Sequence, residues 1–318
     1  MSKIFIDGAH GTTGLVIQGL LKPFIEAGDV SLLSIENHRS EGERMEAFRQ
    51  ADVAVLCLPD DAAGQAVDMA ESAKTRILDA SSAHRTDPRF VYGFPEMTGD
   101  QKYLIRNATH VTNPGCYATG AVSLLRPVLD AGIVQRGARI TVVGASGYTG
   151  GGKNLISLHE NGDDAFFRSN EVAFYSINGQ HKHVTEIQGH AGLGHTPTFV
   201  PTVLNTPRGM IVTIPFNTAA TTSHADDFHD AYRKAYGGAD SKIRVQMLSP
   251  TQTRVDFSQF AVLNARNSEE PPIDTLDIFV TGWAKNGNRQ VNAFAIFDNL
   301  GKGAGTQALQ NMRLMLNF

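Results

Sequence analysis

In the first third of the chain, short apolar runs alternate with stretches whose apolar residues recur at helical spacing. Lys3–Asp7, Val30–Glu36, Val53–Pro59 and Thr75–Ser81 read as buried strands, and Leu15–Leu21 and Ala62–Ala73 as helices between them. This alternation predicts a parallel sheet wrapped by helices.

Beyond residue 140 the texture changes to longer strand-like runs: Arg139–Gly144, Met210–Phe216, Lys242–Leu248, Arg254–Leu263, Leu276–Trp283 and Gln290–Phe297. The last two flank Lys285-Asn286-Gly287-Asn288, where Asn-Gly favours the positive φ of a tight hairpin turn. A mainly antiparallel sheet with helices packed on it is expected here. Ala308, Met312 and Met315, with Leu309 and Leu316, recur at helical spacing and predict a closing amphipathic helix.

At 318 residues the chain is long for one hydrophobic core, so two packed units are expected. The 28 basic and 32 acidic side chains are nearly balanced and spread along the sequence. That distribution offers no basic face for nucleic acid and no polybasic membrane anchor. Ile4-Phe5-Ile6 is too brief for an export signal, and no run approaches the roughly 18–20 apolar residues of a membrane span. A cytoplasmic protein with small-molecule partners is the resulting expectation. With two cysteines far apart, a disulfide framework is not expected, and a conspicuous thiol is weighed as chemistry.

Gly8-Ala9-His10-Gly11-Thr12-Thr13-Gly14 stands between the first strand and the first helix. Glycines there let the backbone approach a diphosphate, and the helix N-terminus offers unpaired N–H groups and a favourable dipole. The G-x-x-G-x-x-G spacing departs from the commoner G-x-G-x-x-G, and the bland alternative is a tight turn with no ligand. Its place at a strand-to-helix junction points to a dinucleotide on a Rossmann-like domain, contacted by Gly8, Gly11, Thr12, Thr13 and Gly14. After the second strand, Glu36 would suit the ribose hydroxyls of NAD, whereas Arg39 and Ser40 would suit the 2′-phosphate of NADP. NADP is favoured.

Gly147-Tyr148-Thr149-Gly150-Gly151-Gly152-Lys153-Asn154 nearly spells a nucleoside-triphosphate loop, but Asn154 stands where a Ser or Thr must hold magnesium. A glycine-rich loop carrying Ser146 and Lys153 to a substrate is the better reading.

Cys116 follows Asn113-Pro114-Gly115, and behind it Ala118, Val122, Leu125 and Leu129 lie on one helical stripe that Pro127 should kink near its far end. A thiol at a helix N-terminus is stabilised as thiolate relative to a free pKa of about 8.5. Cys57, inside the apolar Val53–Leu58, reads instead as inert packing. From position alone, Cys116 is either a packed thiol or a nucleophile.

A nucleophilic thiol wants an acid/base partner. His181-Lys182-His183, followed by Glu186-Ile187, offers two imidazoles that would share one face of an extended segment, with Glu186 able to orient one. A solvated loop, or a metal site with His190 and His195, are the alternatives. No Cys pair or H-E-x-x-H accompanies them, so no metal is expected.

The glycine turn, Asn-Pro-Gly-Cys116 and His181-Lys182-His183-x-x-Glu186-Ile187, in that order, resemble the N-acetyl-gamma-glutamyl-phosphate reductases, acyl-phosphate reductases of arginine biosynthesis. Asp79–Arg85, Tyr92–Glu96, Asn113–Gly120 and Lys302–Met312 extend the likeness nearly end to end. The Gly144–Gly150 loop is similar to the shorter of that family's two branches. Aspartate-semialdehyde dehydrogenases and glyceraldehyde-3-phosphate dehydrogenases resemble it more distantly.

The resemblance implies an NADP-binding domain at 1–115 with the C-terminal helix 301–318 packed back onto it, and a catalytic and oligomerisation domain at 116–300. It implies Cys116 as nucleophile and His183 as acid/base, with His181 and Glu186 positioning it or touching substrate. Arg85 is the first choice for the substrate phosphate and Lys153 the second; an ion pair with Asp79 or Asp87 is the bland account of Arg85. Asn113 serves either the turn or the substrate carbonyl, and Ser146 joins the substrate contacts. Ser81 and Asn299 join the cofactor contacts. Exposed sheet in the second half suggests a homodimer or homotetramer. A sister reductase of aspartyl or aminoadipyl phosphate, a non-catalytic NADP sensor and a cysteine hydrolase are the rival readings.

Overall fold

The computed structural model describes residues 1–160, 172–217, 223–249, 252–255, 270–285 and 288–318. It forms two compact units: Met1–Gly115 with Ala304–Phe318, and Cys116–Gly303.

The first unit holds strands β1 (Ser2–Asp7), β2 (Val30–Leu33), β3 (Val53–Leu56), β4 (Arg76–Asp79), β5 (Val91–Tyr92) and β6 (His110–Thr112). They lie in the order β2-β1-β3-β4-β6-β5, and every pairing is parallel. Helices α1 (Thr12–Glu26), α2 (Glu41–Gln50), α3 (Asp60–Ala73) and α4 (Gln101–Asn107) connect them. Strand alternation divides the apolar residues between two cores. Ile4, Ile6, Val53, Val55 and Leu78 pack with Ile17 and Leu21 of α1, and Phe5, Ala54, Leu56 and Ile77 pack with Phe48 of α2 and Val67 and Ala70 of α3. The stripe Ala308, Met312 and Met315 on the last helix, Thr306–Leu316, completes the first of these cores.

The second unit opens with α5 (Cys116–Asp130) and continues through β7 (Thr141–Gly147), α6 (Gly152–Glu160), β8 (Val172–Phe174), α7 (His183–Ala191), β9 (Thr198–Leu204), β10 (Met210–Asn217), α8 (Ala225–Tyr236), β11 (Ile243–Met247), β12 (Leu276–Lys285) and β13 (Asn288–Phe297). The terminal helix is then α9. The sheet runs β11-β12-β13-β10-β7-β9-β8, with β11/β12 and β7/β9 parallel and the other pairs antiparallel. This is the expected α/β class with a mainly antiparallel second sheet.

Helix α5 is the axis of that unit. A methyl group on Gly120 would lie 2.6 Å from Val212 of β10, so glycine lets the helix settle on the sheet. Pro127 stands inside α5 and removes the N–H that would serve the Ser123 carbonyl, yet the helix continues to Asp130. Tyr236 Oη donates to that carbonyl at 2.9 Å, and Tyr232 Oη to the Leu124 carbonyl at 2.7 Å. Tyr236 thus satisfies the carbonyl that the proline leaves unserved, and Tyr232, one turn before it on α8, holds the next carbonyl along.

Some elements differ from expectation. The run Arg139–Gly144 extends as β7 to Gly147, because its parallel register with β9 holds through Gly147 and Leu204. Strand β9 carries Pro201, which hides its pattern in the sequence. Residues 256–263 of the expected strand Arg254–Leu263, and Asn286-Gly287 of the expected turn, lie outside the described residues; β12 and β13 on either side pair in register as far as Lys285 and Asn288.

Candidate active site

In the first unit, Gly8 has φ +85°, and a β-carbon there would lie 2.3 Å from the Cys57 carbonyl oxygen. One on Gly14 would lie 2.7 Å from the Gly8 carbonyl oxygen, while Gly11 N donates to that same oxygen at 3.0 Å. Gly11 precedes α1 with no side-chain cap over the amides of Thr12, Thr13 and Gly14. A cradle that only bare backbone can line, opening on helix N–H groups, fits a dinucleotide diphosphate.

Beyond β2, Ser40 caps α2, its Oγ accepting from Glu43 N at 3.3 Å. Glu43 in turn accepts from the backbone N of Glu36 and Asn37, and Asp7 is paired with Arg44 at 2.6 Å. Arg39 is exposed, and the neighbouring His38 meets His10 of the glycine turn edge-on at 4.8 Å.

After β4, Ser81 binds Asp79 through both its backbone N and its hydroxyl, each at 2.8 Å. Neither acid named as a partner for Arg85 takes that role: Asp79 pairs with His84 at 2.6 Å, and Asp87 with Arg89 at 2.8 Å. Arg85 donates to the carbonyls of Asn113 and Ala80 at 3.1 and 3.4 Å. The Asn113 side chain donates to the Ala304 carbonyl at 3.1 Å and accepts from Asn311 at 3.1 Å. These contacts tie Asn113 to the C-terminal segment of the same unit.

In the second unit, Cys116 is the first residue of α5 and is half-buried. Gly303, in the π-helical turn Gly301–Gly305, passes so close that a β-carbon on it would lie 3.0 Å from Cβ of Cys116. Tyr117, next along α5, sits edge-on to His181 at 6.0 Å and to His183 at 5.9 Å, and the two imidazoles are 4.7 Å apart. Phe199 and Tyr175 close the cluster around His181 at 5.0 and 5.6 Å.

Burial pushes the Tyr117 phenol far above its usual range, with Tyr175 and Cys116 adding to the effect; burial likewise pushes Tyr175 up to about 12. Both phenols therefore stay protonated at neutral pH, and Tyr117 donates to the Thr202 carbonyl at 2.8 Å.

Two sequence expectations are corrected here. The His181–His183 segment is not extended: His183 opens α7, and the rings meet because its backbone N donates to His181 Nδ1 at 3.1 Å. Glu186, 1% exposed, follows on the same helix one turn later. Ser146 and Lys153 do not share a loop, because Ser146 is buried in β7 whereas Lys153 is exposed in α6. Asn299 accepts from Gly209 N and donates to Thr149, each at 2.9 Å, within the second unit. Among the described residues, no group of three or more His, Cys, Asp or Glu could hold a metal ion.

Residues 3–103 match the family model described as the semialdehyde dehydrogenase NAD binding domain, and 116–271 that of the semialdehyde dehydrogenase dimerisation domain. The chain is 42% identical to the N-acetyl-gamma-glutamyl-phosphate reductase of Sinorhizobium fredii over 99% of both chains. It is 41% identical to that of Burkholderia ambifaria, over 98% of this chain and 96% of the relative. The chain belongs to the N-acetyl-gamma-glutamyl-phosphate reductase family. This reductase-family chain shares its fold with aspartate semialdehyde dehydrogenase II of Vibrio cholerae, which superposes on it with a TM-score of 0.71 at 17% identity, covering 100% of this chain and 98% of the other.

Sequence reasoning about this reductase-family chain passed over Tyr117, Tyr175 and Gly303. Tyr117 carried a signal, being the aromatic neighbour of Cys116, whereas Tyr175 lies six positions from His181; Gly303 sits in the quoted Lys302–Met312 segment but looked like one glycine among several.

Proposed function

We propose that this protein reduces N-acetyl-gamma-glutamyl phosphate to the corresponding semialdehyde with release of phosphate, using NADPH, in arginine biosynthesis. The observation that carries the reading is the setting of Cys116: a half-buried thiol on the first turn of α5, whose neighbour Tyr117 touches both His181 and His183.

The Cys116 thiolate attacks the acyl carbon, an S–C bond forms, and the phosphate leaves with its charge met by the Arg85 guanidinium. Arg85 suits this role because a guanidinium holds two phosphate oxygens at once. When bound on the Gly8–Gly14 cradle, NADPH supplies the hydride that reduces the thioester carbonyl. His183 protonates the oxygen as it gains charge and takes the proton back as the S–C bond breaks, releasing aldehyde and restoring the thiolate. His181 and Glu186 orient His183, and the Tyr117 and Tyr175 phenols keep the cluster neutral and hydrogen-bonded. Lys153 is a solvent-side contact to the substrate, and Ser146 lines the same face. Arg39 and Ser40 would hold the 2′-phosphate of NADP, and Ser81 would join the cofactor contacts.

We also infer that the protein is a cytoplasmic homodimer or homotetramer joined through the second sheet. On the face away from α5 and α8, Val143, Thr213, Phe294 and Phe279 align in one row across four strands, and none is fully buried. Such a row is apolar surface that a second copy would cover.

The test is a panel of acyl phosphates run with NADPH and with NADH. N-acetyl-gamma-glutamyl phosphate with NADPH should give the highest kcat/KM; a clear preference for aspartyl phosphate refutes the substrate, and equal rates with NADH refute the cofactor. Cys116→Ala should abolish turnover while leaving NADPH binding intact.

A further inference from the structure

Asp79 ends β4 with its side chain wholly out of solvent, an expensive place for a carboxylate unless donors surround it. They do. Oδ1 accepts from Ser81 N at 2.8 Å, and Oδ2 from Ser81 Oγ at 2.8 Å and from His84 Nδ1 at 2.6 Å. The Asp79 backbone carbonyl accepts from Asn113 N at 2.7 Å.

His84 is itself buried and stacked on Phe90, with ring centres 4.7 Å apart and planes 14° from parallel. Arg85 comes next, and its guanidinium turns back to the carbonyls of Ala80 and Asn113. The segment from Asp79 to Arg85 is therefore a closed cradle whose two ends both grip Asn113. Asp79 holds one end directly and the other through His84. With no exposed surface and both oxygens engaged, Asp79 does not itself touch a substrate.

We propose that Asp79 is a positioning residue for phosphate recognition: through Ser81 and His84 it fixes the loop that carries Arg85 and thereby aims the guanidinium at the transferred phosphate. An asparagine at 79 would present an N–H₂ to one of the donors that Oδ2 now accepts, so the isosteric change loosens the loop without removing bulk. The proposal rests on the reading of Arg85 as the phosphate ligand.

The reverse reaction separates the steps. With aldehyde and NADP but no phosphate, the Cys116 thiolate bonds the aldehyde carbon while His183 protonates the oxygen, the hydride passes to NADP as His183 takes that proton back, and a thioester accumulates. Phosphate then attacks that carbonyl, the S–C bond breaks, and the acyl phosphate leaves. At saturating NADP, which masks any weakening of the Ser81 cofactor contact, Asp79→Asn should keep the NADPH burst, in amplitude and rate, within about twofold of the parent while raising the KM for phosphate about tenfold, as expected for one lost charge-assisted hydrogen bond. His84→Ala should do the same, and His84→Asn, whose amide nitrogen stands where Nδ1 stood, should recover most of the loss. As a second readout, the rise in melting temperature caused by inorganic phosphate should shrink in Asp79→Asn and His84→Ala but not in His84→Asn.

An unchanged phosphate KM and thermal shift in these variants overturns the proposal, as does an equal loss of burst and phosphate affinity. If Asp79→Asn does not fold, the two His84 variants decide. A parent enzyme with no burst overturns the thioester reading instead, and the phosphate thermal shift still judges Asp79.

Discussion

A β-carbon on Gly303 would stand 3.0 Å from Cβ of Cys116 and 3.2 Å from the ring of Phe297. The backbone of the π-helical turn is thus one wall of the thiol's surroundings. Gly303→Val should lower kcat/KM at least tenfold with the circular dichroism spectrum unchanged, and Gly303→Ala should lower it less. Wild-type kinetics in the valine variant would show that the turn does not bound the reacting thiol.

The two cysteines should react very differently. Burial, and then the charges of Asp79 and Asp7, push the Cys57 thiol up to about 12. At pH 8 it remains protonated, and only thiolates alkylate readily. Iodoacetamide on the native protein should therefore add one group, on Cys116, with activity lost in step; peptide mapping that finds Cys57 modified first would contradict this.

Gly8→Ala places a β-carbon against the Cys57 carbonyl in a backbone conformation with φ +85°. Strain of this kind costs on the order of 1–3 kcal/mol. Urea unfolding should register it, and fluorescence titration should show NADPH binding weakened at least tenfold.

Arg76 ties the first unit's end to its middle, donating to the carbonyls of Met315, Arg106 and Ala108. Arg76→Ala frees the last turn of α9 and the end of α4 together, with an expected loss of about 1–3 kcal/mol. Chemical denaturation is the measurement, and turnover at 25 °C should be nearly unaffected.

His110 gives a pH dependence of known sign. Burial holds its imidazole below the usual 6.5, and Glu71 at 3.4 Å only partly offsets this. The unfolded chain, with a His near 6.5, then binds the proton first as pH falls. This contribution to stability is complete above about pH 6.5 and declines below it. His110→Asn should flatten part of the drop in urea midpoint between pH 7.5 and 5.5; an identical profile would assign that drop to other groups.

The parallel sheet was legible because its strands are buried on both faces and so read as unbroken apolar runs. Val30–Glu36 was read too long because its apolar character outlasts the pairing, which stops at Leu33. Strands β5 and β6 are only two and three residues long, too short for a period to show. At the site, composition and order exposed Cys116 and the histidines, but the wrong local geometry was inferred for His181 and His183: a two-residue alternation and a helix start both bring such residues together. Asn113 and Asn299 could not be placed from sequence, because an amide that binds a ligand and one that ties down a loop look alike until its partners are known.

Pro127 and its two tyrosines have a wider consequence. The helix that begins at Cys116 is gripped at its middle, at the Ser123 and Leu124 carbonyls, by hydroxyls of Tyr232 and Tyr236, more than a hundred positions away in the chain. The seat of the thiol therefore answers to a tether about two turns along its helix, and exchanging either tyrosine for phenylalanine is a way to retune the thiol without touching anything beside it.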